Sequence, residues 1–242
     1  MKYARPLMFL TCLLVWSASA QSPAHEDPFF ASNAVYVYLG GSAVSRDGKK
    51  LVSVRLLDDN AENFSSEVSV RTPVGTLRSR IHFGLNAQVL WSEDSKVFAI
   101  TGSPDGGNGP YQTDAFYLRS QRLVRVPLTP LIERAFGHPV KCGWPESPNV
   151  VALKWLEGSR ALLMAAQIIK HSNCDSFGIF TGFVVDPSNL RIPKRYNQIE
   201  VKRIFGADLG PWLRDTDDSC VVKPQACYVP SNHPELTRSR MK

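Results

Sequence analysis

The stretch "VLWSEDSKVFAIT" (residues 89–101) carries an apolar approach into Trp91, a polar turn, and a second apolar run. The same plan recurs on either side of it. "AVSRDGKKLVSVRLL" (43–57) and "LKWLEGSRALLMAAQ" (153–167) each have the approach, a turn with Asp, Glu or Gly, a Lys or Arg, and an apolar strand. Asp47 and Asp94 stand 47 positions apart, and Trp91 and Trp155 stand 64 apart. Repeating units of about 40–50 residues form stacked sheets. The wider second interval implies an insertion.

Each unit has a second half. "SSEVSVRTPVGTLRSRIHF" (65–83), "DAFYLRSQRLVRVPL" (114–128) and "IFTGFVVDPSNLRIPKRY" (179–196) read as strand, turn, strand. Every unit thus predicts four short strands separated by turn residues. Asp47-Gly48 suits a tight hairpin with positive φ, and an Asp carboxylate can accept from the backbone two residues on. Val52, Val54, Phe98, Ile100, Leu162 and Met164 alternate along the strands as core positions. Trp91 and Trp155 are expected to wedge between neighbouring sheets, because a lone sheet cannot bury both faces. In "LTPLIERAFGHP" (128–139), Thr129 is an N-cap candidate, Pro130 fits the first helical position and Gly137 can end a helix. That short helix accounts for the insertion.

"SRDGKKL" and "WSEDSKVFAIT" resemble the WD40-like repeat of bacterial periplasmic propellers. That repeat occurs in the Tol-system translocation propeller and in the propellers of prolyl-oligopeptidase-type enzymes. Its core reads roughly W-S-P-D-G-K before an apolar strand. Ser45, Asp47, Gly48 and Lys49 match in the first copy, Trp91, Ser92, Asp94 and Lys96 in the second, Trp155 and Arg160 in the third. The resemblance covers residues 40–205. It implies an all-β fold: a β-propeller-like stack of four-stranded blades, three to five in number, with one short inserted helix. Family propellers have six or seven blades, so an open arc and a ring completed by a homodimer both remain open. The motifs mark a fold and designate no catalytic residue.

Lys2 and Arg5, the apolar run of residues 7–16 and Ala18-Ser19-Ala20 form the pattern of a secretory signal peptide cut after Ala20. The expected organisation is signal peptide 1–20, N-terminal arm 21–34, repeat domain 35–210 and a disulfide-closed tail 211–242. Such a protein would be periplasmic or secreted, with no transmembrane segment after cleavage. Net charge is +6, of which Lys2 and Arg5 contribute two. The remaining +4 suits an anionic envelope component or an envelope protein as partner, and falls short of a nucleic-acid footprint. "RIPKRYNQIEVKR" (191–203) and "LTRSRMK" (236–242) read as a solvated face and a frayed end.

Four cysteines follow the signal: Cys142, Cys174, Cys220 and Cys227. An even count in an exported chain favours disulfides. Of three connectivities, Cys142–Cys174 and Cys220–Cys227 is preferred, the second closing "CVVKPQAC" (220–227). The competing reading is zinc held by His138, Cys142, His171 and Cys174, although the chain has no C-x-x-C pair. No metal or other cofactor is assigned.

The chain has no G-x-S-x-G elbow, phosphate loop or dinucleotide fingerprint. Three function classes remain. The first is a non-enzymatic binding or scaffold protein of the cell envelope. The second is an enzyme, hydrolase-like, with a site built from several loops. The third is a Ca²⁺- or carbohydrate-binding module on "SPDGGNGPYQTD" (103–114), where Asp105, Asn108 and Asp114 offer oxygen ligands. The first is preferred. Its contacts are expected on the three long loops 56–67, 103–114 and 168–178, which join the same pair of strands in each unit. Asp58, Asp59, Asn60, Asp105, Asn108, Tyr111, Asp114 and His171 are the candidate binding residues, because long loops on a rigid repeat scaffold are where recognition concentrates.

Overall fold

The computed structural model describes residues 30–38, 41–58, 65–82, 86–104, 110–137, 147–168 and 178–222. The expected signal peptide lies outside these residues. The described chain is mostly β, in three antiparallel sheets that follow one another along the sequence.

Strand β1 (Val35–Tyr38) comes first but joins the second sheet. The first sheet is β2 (Ser42–Val44), β3 (Leu51–Asp58), β4 (Ser65–Thr72) and β5 (Gly75–Ile81), paired in that order. The second is β6 (Asn86–Trp91), β7 (Val97–Gly102), β8 (Gln112–Arg119) and β9 (Arg122–Pro127), with β1 added on the free edge of β6. The third is β10 (Asn149–Leu156), β11 (Ala161–Gln167), β12 (Phe180–Asp186) and β13 (Arg191–Asn197). Each of the three related stretches is the first hairpin of its sheet, and each second half is the outer hairpin.

Burial follows position in the stack. Every residue of β7 and β11 is buried, so these strands read as continuous apolar runs, as strands covered on both faces do. In β4 burial alternates, because one face only meets a neighbour. Val52, Val54, Val68 and Val70 pack on Trp91, Phe98, Ile100 and Phe116 of the second sheet. The other face of that sheet, with Leu90, Ala99 and Ala115, packs on Ala152, Leu162 and Met164 of the third. A buried polar seam crosses the same interface. Thr101 and Thr113 share a hydroxyl contact of 2.9 Å; Thr113 Oγ1 donates to Val150 O and Thr101 Oγ1 accepts from Ala152 N.

The turns of the repeats tie each sheet to the next. Asp47 Oδ1 accepts from Ser45 Oγ and from Lys49 N, and Ser45 Oγ accepts from Lys50 N. Ser92, Asp94, Lys96 and Val97 reproduce this set. The positive φ falls on Gly48 (70°) and Ser95 (56°), not on either Asp. Asp47-Gly48 is therefore not a two-residue hairpin: the Asp carboxylate closes a longer turn. Trp91 Nε1 reaches back to Ala43 O at 3.3 Å, and Trp155 Nε1 to Leu90 O at 2.9 Å. Ser95 Oγ accepts from Asp47 N, and Ser159 Oγ donates to Asp94 Oδ1 at 2.6 Å. Each Trp thus bonds the first strand of the sheet before it, and each second Ser bonds that sheet's turn. The first copy has no sheet before it among the described residues and carries Val44 and Gly48 at those places. The third has Leu156 and Gly158 where Ser92 and Asp94 stand in the second.

Helix α1 (Thr129–Phe136) follows β9 and packs Ile132 and Phe136 into the core between the second and third sheets; its N-cap is Leu128, because the Thr129 hydroxyl instead accepts Thr113 N at 2.8 Å. The outer face of the third sheet is covered by the helical segments that follow β13, through Val201, Leu209 and Leu213. Helix α2 (Gln198–Phe205) follows β13 and opens with a capping box between Asn197 and Glu200. Val201 of α2 packs where Gly182 has no side chain; a Cβ there would lie 2.4 Å from Val201 Cγ2. The chain then runs through α3 (Pro211–Arg214) and α4 (Ser219–Val222). The arm is docked on this layer: Ala31 bridges Leu209, and Gly210 N donates to Phe30 O at 2.7 Å. Among the described residues no helix is long and apolar enough to cross a membrane.

Candidate functional site: the basic face of the first sheet

The first sheet has one face left over. Its strands alternate, so the residues opposite the buried valines point away from the stack. Register aligns them in rows: Val44, Leu51, Arg71 and Thr76; then Ser42, Ser53, Ser69 and Arg78; then Arg55, Glu67 and Arg80. Four arginines and Glu67 share this face, and Asp58 pairs Ser65 at its end. Glu67 Oε1 receives Arg78 Nη1 at 3.1 Å and Arg55 Nη2 at 3.5 Å, yet the Arg55 and Arg78 side chains remain 66% and 60% exposed. Arg71 and Arg80 have no carboxylate partner among the described residues. Ser53 and Ser69 join hydroxyls at 2.7 Å and keep the centre of the face flat and polar. The result is a planar surface with an excess of guanidinium groups, each a fixed fork suited to carboxylate or phosphate.

A cleft adjoins this face. It lies between the outer hairpins of the first and second sheets and has a volume of about 520 Å³. Thr72 to Leu77 line one side; Leu118, Ser120 and Gln121 line the other, with Lys50 at the turn end. The Val74 side chain at the hairpin tip is 90% exposed. The cleft closes where Arg125 Nη1 donates to Arg80 O at 3.4 Å. Arg125 Nε also holds Asp114 Oδ2 at 2.6 Å. Burial pushes the Asp114 carboxyl above its ordinary value, against the opposing pull of Arg125 and His82.

Of the loop residues expected to bind, Asp58, Tyr111 and Asp114 fall among the described residues. Asp59, Asn60, Asp105, Asn108 and His171 lie outside the described residues, and Asp58 ends β3. Asp114 is in β8, not in a loop; it is buried between the first two sheets and engaged by Arg125. Tyr111 is also buried, with its ring edge-on to Phe30 at 4.9 Å. Both therefore serve packing between layers and do not face solvent as loop contacts. Cys142, Cys174 and Cys227 lie outside the described residues, as do His138 and His171, and Cys220 falls within α4. Among the described residues no cluster of His, Cys, Asp and Glu is placed to hold a metal. The basic face carries a signal in "VRTPVGTLRSR" (70–80), where arginines recur at alternate positions opposite the valines. Reading it needs the knowledge that this sheet ends the stack.

No protein-family model and no curated protein matches the chain. Among solved structures, an acylaminoacyl peptidase of Pyrococcus horikoshii matches 66% of this chain and 25% of its own length. Identity is 14% and the TM-score 0.37. At that distance the likeness bears on neither activity nor partner.

Proposed function

We propose that this chain is an exported, non-enzymatic binding or scaffold protein of the cell envelope. On this reading its three sheets are three WD40-like blades in an open propeller arc. The contact surface is the outer face of the first blade, and the partner is anionic. The composition of that face carries the proposal: four arginines against Glu67 and, at the end of the rows, Asp58, on a flat, solvent-facing sheet. Two further features support the reading. A fifth strand, β1, lies on the edge of β6 that would line the channel of a closed ring. The carboxylates Asp47, Asp94 and Asp186 are engaged in turns, and Asp208 in an ion pair with Lys154.

The test is binding of the mature protein to immobilised polyglutamate, with polylysine as control. Binding should weaken as salt rises, because exposed charges are screened over about 8–10 Å at physiological ionic strength. The double substitution Arg71→Glu and Arg80→Glu should weaken it at least tenfold with the fold intact by circular dichroism. Equal binding by both proteins would remove this face from the account. Turnover of a substrate in a hydrolase panel would put an enzyme in its place. Export predicts a mature chain whose intact mass begins at Gln21, and peptide mapping without reductant should join Cys142 to Cys174 and Cys220 to Cys227.

A further inference from the structure

The basic face and the cleft meet along β5, and that strand is an open edge. Its hairpin has two residues between Thr72 and Gly75, so Gly75, Leu77, Ser79 and Ile81 exchange hydrogen bonds with β4. The backbone groups of Thr76, Arg78 and Arg80 point the other way. Arg80 O confirms the direction, since it accepts from Arg125. The second sheet shows the same phase: Arg119 pairs Arg122, and Pro127, which has no N–H to give, lies at an outward position of β9. Edge strands are commonly blunted by Pro, Lys or a bulge. The stretch 75–79 has none of these, and its register with β4 is unbroken.

We infer that β5 is a docking edge for an extended acidic segment of a partner protein, which adds as a further strand beside Thr76 and Arg78. This rests on the reading of the chain as a binding protein with an anionic partner, and it specifies that partner. A strand added there would alternate its side chains between two environments. One set would lie over the outer face, beside Arg71, Arg78 and Arg80, and calls for carboxylates. The other would enter the cleft between Leu77 and Leu118, and calls for aliphatic groups. The Arg125 contact to Arg80 O limits the added strand to a few residues. The recognised sequence therefore alternates acidic and aliphatic residues over a short length. A flat polyanion without a peptide backbone would use the arginines and leave the edge and cleft empty.

The probe is a short end-blocked peptide alternating Glu and Val, measured by fluorescence anisotropy. Its controls are a scrambled peptide of equal composition and one N-methylated on the residues facing β5. The alternating peptide should bind, with each control weaker by tenfold or more. Thr76→Pro removes only an outward N–H, so the sheet should survive; it should abolish peptide binding and leave binding of polyacrylate, a polyanion without a peptide backbone, to the arginines nearly unchanged. Amide exchange at Thr76 and Arg78 should slow on binding. If the scrambled and N-methylated peptides bind as well as the parent, strand addition is overturned while the anionic face stands. If neither peptide nor polyglutamate binds, the functional proposal falls and this inference with it. Should Thr76→Pro fail to fold, the N-methylated peptide decides alone.

Discussion

At Asp94 one carboxylate oxygen receives three donors: Ser159 Oγ at 2.6 Å, Ser92 Oγ at 2.8 Å and Lys96 N at 3.2 Å. Partial burial works to raise its pKa, but these bonds outweigh it and the net shift is downward. A carboxyl whose folded pKa is depressed adds stability above its unfolded pKa and loses it as pH falls through the folded value. Asp114 has the opposite sign. Burial raises it, so the folded state binds its proton first, and its contribution grows as pH falls. Urea midpoints followed from neutral pH into the acid range should separate the two. Asp94→Asn should flatten the acid loss of stability, and Asp114→Asn should steepen it. Identical slopes for both variants would contradict these assignments. Trp91 and Trp155 are 5% and 6% exposed. Trp91→Ala should cost about 3–5 kcal/mol by emptying a packed site. Trp155→Phe should cost about 1 kcal/mol for the bond to Leu90 O. Both are read from chemical denaturation. The Trp and Asp positions are legible in the sequence because side-chain chemistry fixes them locally. That Ser95 and Ser159 bridge to the preceding turn is not, since the bond depends on two sheets being stacked.

Elements divide along the same line. The strands are readable because alternation and turn residues specify them over a few positions, and all three pairs of hairpins fall where the pattern places them. Helix α2 was equally available in the sequence: Asn197 and Glu200 have capping-box spacing, ahead of Ile199, Val201 and Ile204. The density of Lys and Arg in that stretch instead suggests a solvated segment, which hides the single buried stripe at Val201. The place of β1 could not be read, because Val35–Tyr38 looks like any edge strand and its partner β6 is some fifty positions away. The seat of α2 gives a test at this scale. Gly182→Ala would set a methyl 2.4 Å from Val201 Cγ2, so overpacking should cost about 1–3 kcal/mol. Val201→Ala alone should also destabilise. The double variant should recover part of the Gly182→Ala loss, because the two side chains contest one space. Strict additivity in that cycle would show that α2 does not rest on β12.

For the whole molecule, the degeneracy of the outer repeats is the informative feature. The first copy lacks the groups that reach backward, and the third lacks the Ser–Asp pair that closes the turn in the other two. Those losses match a stack with one end at a polar face and the other under a helical layer, as terminal units of repeat arrays require. The first sheet then presents its outer face to solvent, and the functional account depends on that face being uncovered in the folded protein. Arginine footprinting of the native protein, with a dicarbonyl reagent and mass-spectrometric readout, tests this directly. The account predicts that Arg55, Arg71, Arg78 and Arg80 react at the rate of other exposed arginines, with Arg125, half-covered and paired to Asp114, reacting more slowly. Protection of all four, whether by another segment of the chain, by a second copy or by closure of the stack into a ring, would contradict it.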